Sequence, residues 1–359
     1  MPTVLLQVAV IVAAGWLAAR LAGRCGLSPA VGQMVMGLLL GPSLLGWLAP
    51  EAFAFVFESG PAEPLAWLSR IGLMLLMFQV GLEFDLSHLA HARNQRTVIA
   101  VSVAALAVPF VLGLAFGRAT APILSPGIDP MAAALFVATA FSITALPVLG
   151  RILKELNIHR TELGVMAISA AAINDVAGWI MLAVVSAFSS SPFGLVAILG
   201  AFGLGVAFQR RHRFVAAWDT RMGPLVAALF LPLYFTYTGL RTDVGSLDGF
   251  AAWAWCAAVL ALAVTGKFGA TYLAARGSGL AHAPAAALGA MMNTRGLVEL
   301  VVLNVGLDLG LVSKPMFTML VLMAVVSTVL TTPLLRHWLA GLLRPLHAAS
   351  ATVSDAHSC

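Results

Sequence analysis

Eleven stretches of this chain are apolar over roughly the length of a bilayer crossing: about 4–22, 29–45, 66–86, 97–118, 131–153, 162–188, 193–208, 223–240, 250–274, 284–305 and 315–341. In lipid there is no water to bond a free N–H or C=O, so each crossing must close its own backbone hydrogen bonds. A helix of about 20 apolar residues spans the hydrocarbon core. Composition agrees, with 60% hydrophobic and 10% charged residues, where soluble domains carry about 25% charge. The reading is an all-α polytopic membrane protein. Its net charge of +5 belongs to loops and is no sign of nucleic-acid binding. No basic residue precedes the first run, so it reads as a retained helix and not as a signal peptide.

Basic residues set the expected orientation. One set of alternating loops holds fourteen of the twenty Lys and Arg, including Arg24, Arg96, Arg160, Arg211 and Arg276. The positive-inside rule places that set in the cytoplasm, the N-terminus outside and the C-terminus inside. Residues 1–344 form one transmembrane domain, and the Ala-, Ser- and His-rich segment 345–359 reads as a disordered cytoplasmic tail.

The chain repeats itself. The third span ends Gly81-Leu82-Glu83-Phe84-Asp85-Leu86, and the eighth ends Gly239-Leu240-Arg241-Thr242-Asp243-Val244. The second span carries Gly32 and Gly37, the seventh Gly200 and Gly205, at the same spacing. Matching spans run in opposite directions, which is the pattern of inverted repeats in secondary transporters. The first repeat covers about 1–190 and the second about 191–344. The fifth span then pairs with the tenth. The fifth contains Ser142-Ile143-Thr144-Ala145-Leu146-Pro147, and Pro147 removes a backbone donor. The tenth contains Asn293-Thr294-Arg295-Gly296, a polar interruption at its centre. Two interrupted helices at corresponding positions point to a binding site near the midplane.

Ionisable residues inside the spans carry the chemistry. Asp175 lies halfway along a run from about Leu163 to Phe188 that holds no Lys or Arg. A carboxylate there costs at least ~2.5–3.5 kcal/mol on insertion. A buried carboxylate can exchange a proton for a small alkali cation, which is the minimum needed for antiport. Asn174 beside it can ligate a hard cation through its amide oxygen or orient neighbours. Lys267, in the ninth span, needs a partner from another helix: near Asp175 it forms a switchable pair, and otherwise it snorkels to an interface. Arg295 and Glu299 stand four residues apart and can pair on one helix face. Glu83 and Asp85 fall at a helix end, where charge is tolerated.

These residues carry a resemblance. Phe141-Ser142-Ile143-Thr144-Ala145-Leu146-Pro147, Ala172-Ile173-Asn174-Asp175-Val176 and Asn293-Thr294-Arg295-Gly296-Leu297-Val298-Glu299-Leu300 resemble the monovalent cation/proton antiporters. The likeness is to the branch of plant and bacterial cation/proton exchangers, and it covers nearly the whole chain. It implies a core domain with two crossed broken helices, moving against a dimerisation domain in a homodimer. It also implies that Asp175 is the cation and proton site, with Asn174, Thr144 and Ser142 around it. Lys267 is then the core-domain base, and Arg295 and Glu299 balance charge. The family usually shows about thirteen spans, so a pair is missing between the sixth and seventh, at the short link Ser189-Ser190-Ser191-Pro192.

The expected function is exchange of Na+ or K+ for H+ by alternating access, serving pH homeostasis, in a bacterial inner membrane. One titrating carboxylate per chain suggests an electroneutral cycle. No Gly-x-Gly-x-x-Gly or Walker loop is present, and no enzyme activity or cofactor is expected. A cation channel would need a continuous polar pore instead of one central cluster. An intramembrane aspartyl protease would need a second facing carboxylate. A shortened homologue that does not transport is the remaining alternative.

Overall fold

The computed structural model describes residues 2–25, 27, 29–60, 63–83, 95–186 and 193–355. Helices follow the eleven apolar stretches: α1 (Pro2–Arg24), α2 (Pro29–Leu40), α3 (Glu63–Glu83), α4 (Gln95–Leu124), α5a (Pro130–Ser142) with α5b (Leu146–Glu155), and α6 (Glu162–Ser186). They continue with α7 (Phe193–Phe208), α8 (223–240, with a π turn at Val226–Phe230), α9 (Gly249–Gly277), α10a (His282–Met292) with α10b (Leu297–Asp308), and α11 (Lys314–Asp355). Among the described residues there is no strand. Among the described residues, eight spans are long and apolar enough to cross a membrane, counting α5a and α5b as one. α2 and α7 are shorter, and α10 is split.

Local sequence explains the irregularities. Asp129 caps α5a, accepting from the amides of Met131 and Ala132 at 3.0 and 2.8 Å, with Pro130 as the first helical residue. In α8, Pro232 has no N–H to continue the ladder, and the Leu231 amide reaches back five residues to Val226, which makes the π turn. The tail departs from expectation: α11 runs on to Asp355, through most of the segment read as disordered. Ala348, Ala349 and Ala351 are strong helix formers, and they extend a helix already nucleated in the bundle. Asp85 and the link 189–192 lie outside the described residues.

The helices pack as two groups. α1, α2, α3, α7 and α8 form one, and α4, α5, α6, α9, α10 and α11 the other. Each repeat gives three spans to the second group. The first group takes three from the first repeat and two from the second.

The repeat is visible atom by atom. α2 crosses α8 at Gly37 and Gly239, where a Cβ on Gly239 would lie 1.8 Å from the Gly37 carbonyl oxygen. α7 crosses α3 at Gly205 and Gly81, where a Cβ on Gly205 would lie 2.2 Å from the Phe78 carbonyl oxygen. The glycines matched in sequence therefore make the same crossing twice. Close helix approach through small residues is the main source of packing energy in lipid. One related pair breaks the symmetry. A Cβ on Gly32 would lie 2.5 Å from the Ala18 carbonyl of α1, whereas Gly200 has nothing within 4 Å. Among the described residues, the second repeat has no helix where the first has α1.

The outside of the bundle is apolar, with Phe250, Trp47, Leu5 and Leu273 all exposed, while Asp175, Lys267, Arg295 and Glu299 are buried. That distribution is the one expected of a protein whose surroundings are lipid. The fold is an inverted-repeat membrane architecture with two broken helices crossing at its centre.

Candidate functional site

Both breaks fall where the sequence places them. α5 is interrupted at residues 143–145, one turn before Pro147, and α10 at 293–296. Pro147 has no N–H to give to the Ile143 carbonyl, four residues back. Lys267, fully buried on α9, donates to that carbonyl at 2.8 Å and to the Ser142 carbonyl at 2.5 Å. Arg295 donates to the carbonyls of Ala140 and Phe141 at 2.5 and 2.8 Å. The last four acceptors of this half-helix are thus held by two cations. Cations at a helix C-terminus offset its partial negative charge, and here they also satisfy orphan carbonyls that would cost ~1–3 kcal/mol each if left unpaired.

The two breaks are stitched together. The Ala145 amide donates to the Thr294 carbonyl at 3.1 Å. The Thr144 hydroxyl faces the Met292 carbonyl at 3.4 Å. On the second break the Arg295 amide donates to Thr328 Oγ1 at 3.0 Å, and that hydroxyl also reaches the Arg295 carbonyl. Gly296 takes φ 157° and lies against Val148, where a Cβ would meet Cγ2 at 2.6 Å. A side chain there would clash and strain the backbone.

Asp175 and Asn174 reach this crossing from α6. Neither carboxylate oxygen of Asp175 has a hydrogen bond of ordinary geometry. The nearest polar influences on it are the Leu146 amide, at the start of α5b, and the charge of Lys267. Asn174 Nδ2 faces Thr144 Oγ1 at 3.4 Å, leaving its Oδ1 unpartnered. Arg295 and Glu299 pair at 2.9 Å, both fully buried.

Of the residues singled out from sequence, Asp175, Asn174 and Thr144 meet at the crossing. Lys267 is there too, bonded to backbone carbonyls, with Asp175 and Glu299 near enough to act on it by charge alone. Ser142 contributes its carbonyl, while its hydroxyl faces the carbonyls of Leu106 and Ala138. Arg295 holds both Glu299 and the first break.

Several residues went unremarked in the sequence. Thr328 is one, hidden in an apolar span, although the Ser327-Thr328 pair is a polar signal within it. Another group ties the two helix groups together. Arg241, at the end of α8, bonds Asp308 at 2.6 Å and Asn304 at 3.1 Å on α10b. Asn304 Nδ2 in turn donates to Thr238 Oγ1 at 2.8 Å.

Comparison with known proteins bears on the fold and the family. A solved archaeal antiporter, NhaP1 from Methanocaldococcus jannaschii, superposes with a TM-score of 0.59 over 94% of this chain and 96% of its own, at 14% identity, which speaks to the fold. The Na+/H+ antiporter NhaS4 of Synechocystis is 32% identical, covering 92% of this chain and 96% of its own length. That alignment runs over 396 positions against 359 residues here, so NhaS4 carries segments this chain lacks. Cation/H+ antiporter 17 of Arabidopsis thaliana is also 32% identical, over 93% of this chain, which spans about half (48%) of that longer relative. The model for the transmembrane sodium/hydrogen exchangers matches residues 8–194 and 185–341. Those two stretches overlap at residues 185–194, between the two repeats. With both repeats matched and relatives alike along nearly its whole length, the chain belongs to the transmembrane sodium/hydrogen exchanger family.

Proposed function

We propose that this protein is a secondary antiporter that exchanges Na+ or K+ for H+ by alternating access, with Asp175 as the shared cation and proton site. The observation that carries the reading is the Asp175 carboxylate, buried at the crossing of two broken helices without a side-chain donor of its own. Such a group needs a proton or a cation to neutralise it. The family supports it: its relatives include a K+/H+ antiporter of Saccharomyces cerevisiae and a Na+/H+-K+ antiporter of Bacillus cereus.

In this reading Asn174 and Thr144 complete the site, and Lys267 and Arg295 hold the first break rigid. The group of α4, α5, α6, α9, α10 and α11 carries the ion past the other five helices. The Arg241–Asp308 pair joins the ends of α8 and α10b, and the excess of basic residues in the opposite loops puts that side outside, with the N-terminus outside and the C-terminus in the cytoplasm. The protein works as a homodimer in a bacterial inner membrane, and its cycle is electroneutral. A second reading, a shortened homologue that does not transport, rests on the segments present in NhaS4 and absent here. The test is cation-dependent proton flux in proteoliposomes with Na+, K+ and Li+ supplied separately. Saturable, counter-ion-dependent flux supports antiport. Flux without a counter-ion indicates a channel, and no flux from folded protein favours the second reading.

A further inference from the structure

The two broken helices are related by the repeat, but their C-terminal ends are treated differently. On α5a, Lys267 and Arg295 occupy the carbonyls of residues 140–143. On α10a, among the described residues, no buried cationic side chain does so. The Ala290 and Met291 carbonyls accept from the amides of Asn293 and Thr294, and Met292 has only the Thr144 hydroxyl at 3.4 Å. Its negative end therefore has no fixed cation. Half-helix C-terminal ends and unwound carbonyls are where transporters coordinate small cations.

Asn293 stands at this end, as the first residue of the break. It is 1% exposed, and neither Oδ1 nor Nδ2 has a hydrogen-bond partner. Leaving a buried amide unpaired costs ~1–3 kcal/mol, which a merely structural asparagine would avoid. The Thr144 hydroxyl links its neighbourhood to α6, next to Asp175: it contacts the Met292 carbonyl on one side and accepts from Asn174 Nδ2 on the other. Asn174 Oδ1 is likewise unpartnered, and neither Asp175 oxygen has a side-chain donor. The core oxygens without a side-chain donor thus include one side chain at the second break and two from α6.

We infer that Asn293 supplies its side-chain oxygen to the transported cation at the C-terminal end of α10a, so that the second repeat contributes a ligand and helps rank alkali cations by size. This rests on the reading of Asp175 as the ion site. The fixed cations of α5a and the transported cation of α10a then play equivalent parts in the two repeats.

The experiment compares wild type with Asn293→Leu, Asn293→Ser and Asn293→Asp in proteoliposomes, measuring KM and kcat for Na+, K+ and Li+. Loss of a ligand used equally throughout binding raises KM with kcat little changed. Asn293→Leu should raise the cation KM about tenfold, the equivalent of ~1.4 kcal/mol, and change the Na+ to K+ preference. Asn293→Asp, which keeps an oxygen, should restore KM. Should Asn293→Leu not fold, Asn293→Ser, whose oxygen is set back, should show the same rise. Unchanged KM and ion preference in a folded Leu or Ser variant would overturn the inference. Asp175→Asn is measured alongside. If it is inactive while the Asn293 variants match wild type, this inference fails alone. If it exchanges normally, the site reading fails and takes this inference with it.

Discussion

Lys267 Nζ lies 2.8 Å from the Ile143 carbonyl oxygen, the acceptor that Pro147 leaves without its helical donor. The lysine is thus a cap on a broken helix first, and a charge near Asp175 second. Its four-carbon stem brings an ammonium with three donors into a site that no backbone amide can fill.

Lys267→Met should therefore lower thermal stability, because it strips donors from two buried carbonyls. The expected cost is ~1–3 kcal/mol for each, read as a fall in Tm of the detergent-purified protein. Asp175→Asn leaves both bonds in place and should cost less. A Lys267→Met protein with wild-type Tm would show that the carbonyls find other donors.

Arg295 makes three buried bonds, to Glu299 and two carbonyls. Arg295→Ala should cost ~3–5 kcal/mol, since it strands a buried carboxylate. Arg295→Ala combined with Glu299→Leu should cost less than the sum of the two changes. A double-mutant cycle in Tm checks this, and additive losses would mean the pair is not coupled.

The related glycines should behave differently. Gly205→Ala places a methyl on the Phe78 carbonyl and should destabilise by ~1–3 kcal/mol. Gly200→Ala meets nothing within 4 Å and should stay within about 0.5 kcal/mol of wild type. Equal losses at both would mean that a helix or a partner covers Gly200.

A cycle with one titrating carboxylate that exchanges one cation for one proton moves no net charge. A potential of 100 mV is worth ~2.3 kcal/mol per charge moved. Imposed across proteoliposomes without an ion gradient, it should drive no sustained cation uptake. Uptake that reverses with the potential would make the cycle electrogenic, with Lys267 as a second proton carrier.

Much of this was legible in sequence for physical reasons. An acid in an apolar run, a proline inside a span and a polar interruption in its repeat partner are costly in lipid, so each marks a place where the fold compensates. The glycine spacings exposed the repeat, but that Gly37 and Gly205 sit at helix crossings, while Gly200 meets nothing within 4 Å, was not in the pattern. The partner of Lys267 was not legible, since a side-chain pattern does not display backbone carbonyls. It could have been approached through Pro147, which must orphan the carbonyl four residues back. The Ser142 hydroxyl, turned to the carbonyls of Leu106 and Ala138, depended on the packing of α4 against α5a. The helical tail to Asp355 was missed because composition alone says little about a segment that continues an existing helix.

With Asp175 as the shared site, one carboxylate holds either the cation or the proton. Adding Na+ or K+ to detergent-purified protein in weak buffer, while a pH-sensitive dye records proton release, reads that exchange at the site itself. Wild type should release protons in a saturable manner as the cation binds, and Asp175→Asn, folded and equally stable, should release none. Undiminished release from Asp175→Asn would contradict the account and place the exchange at another group.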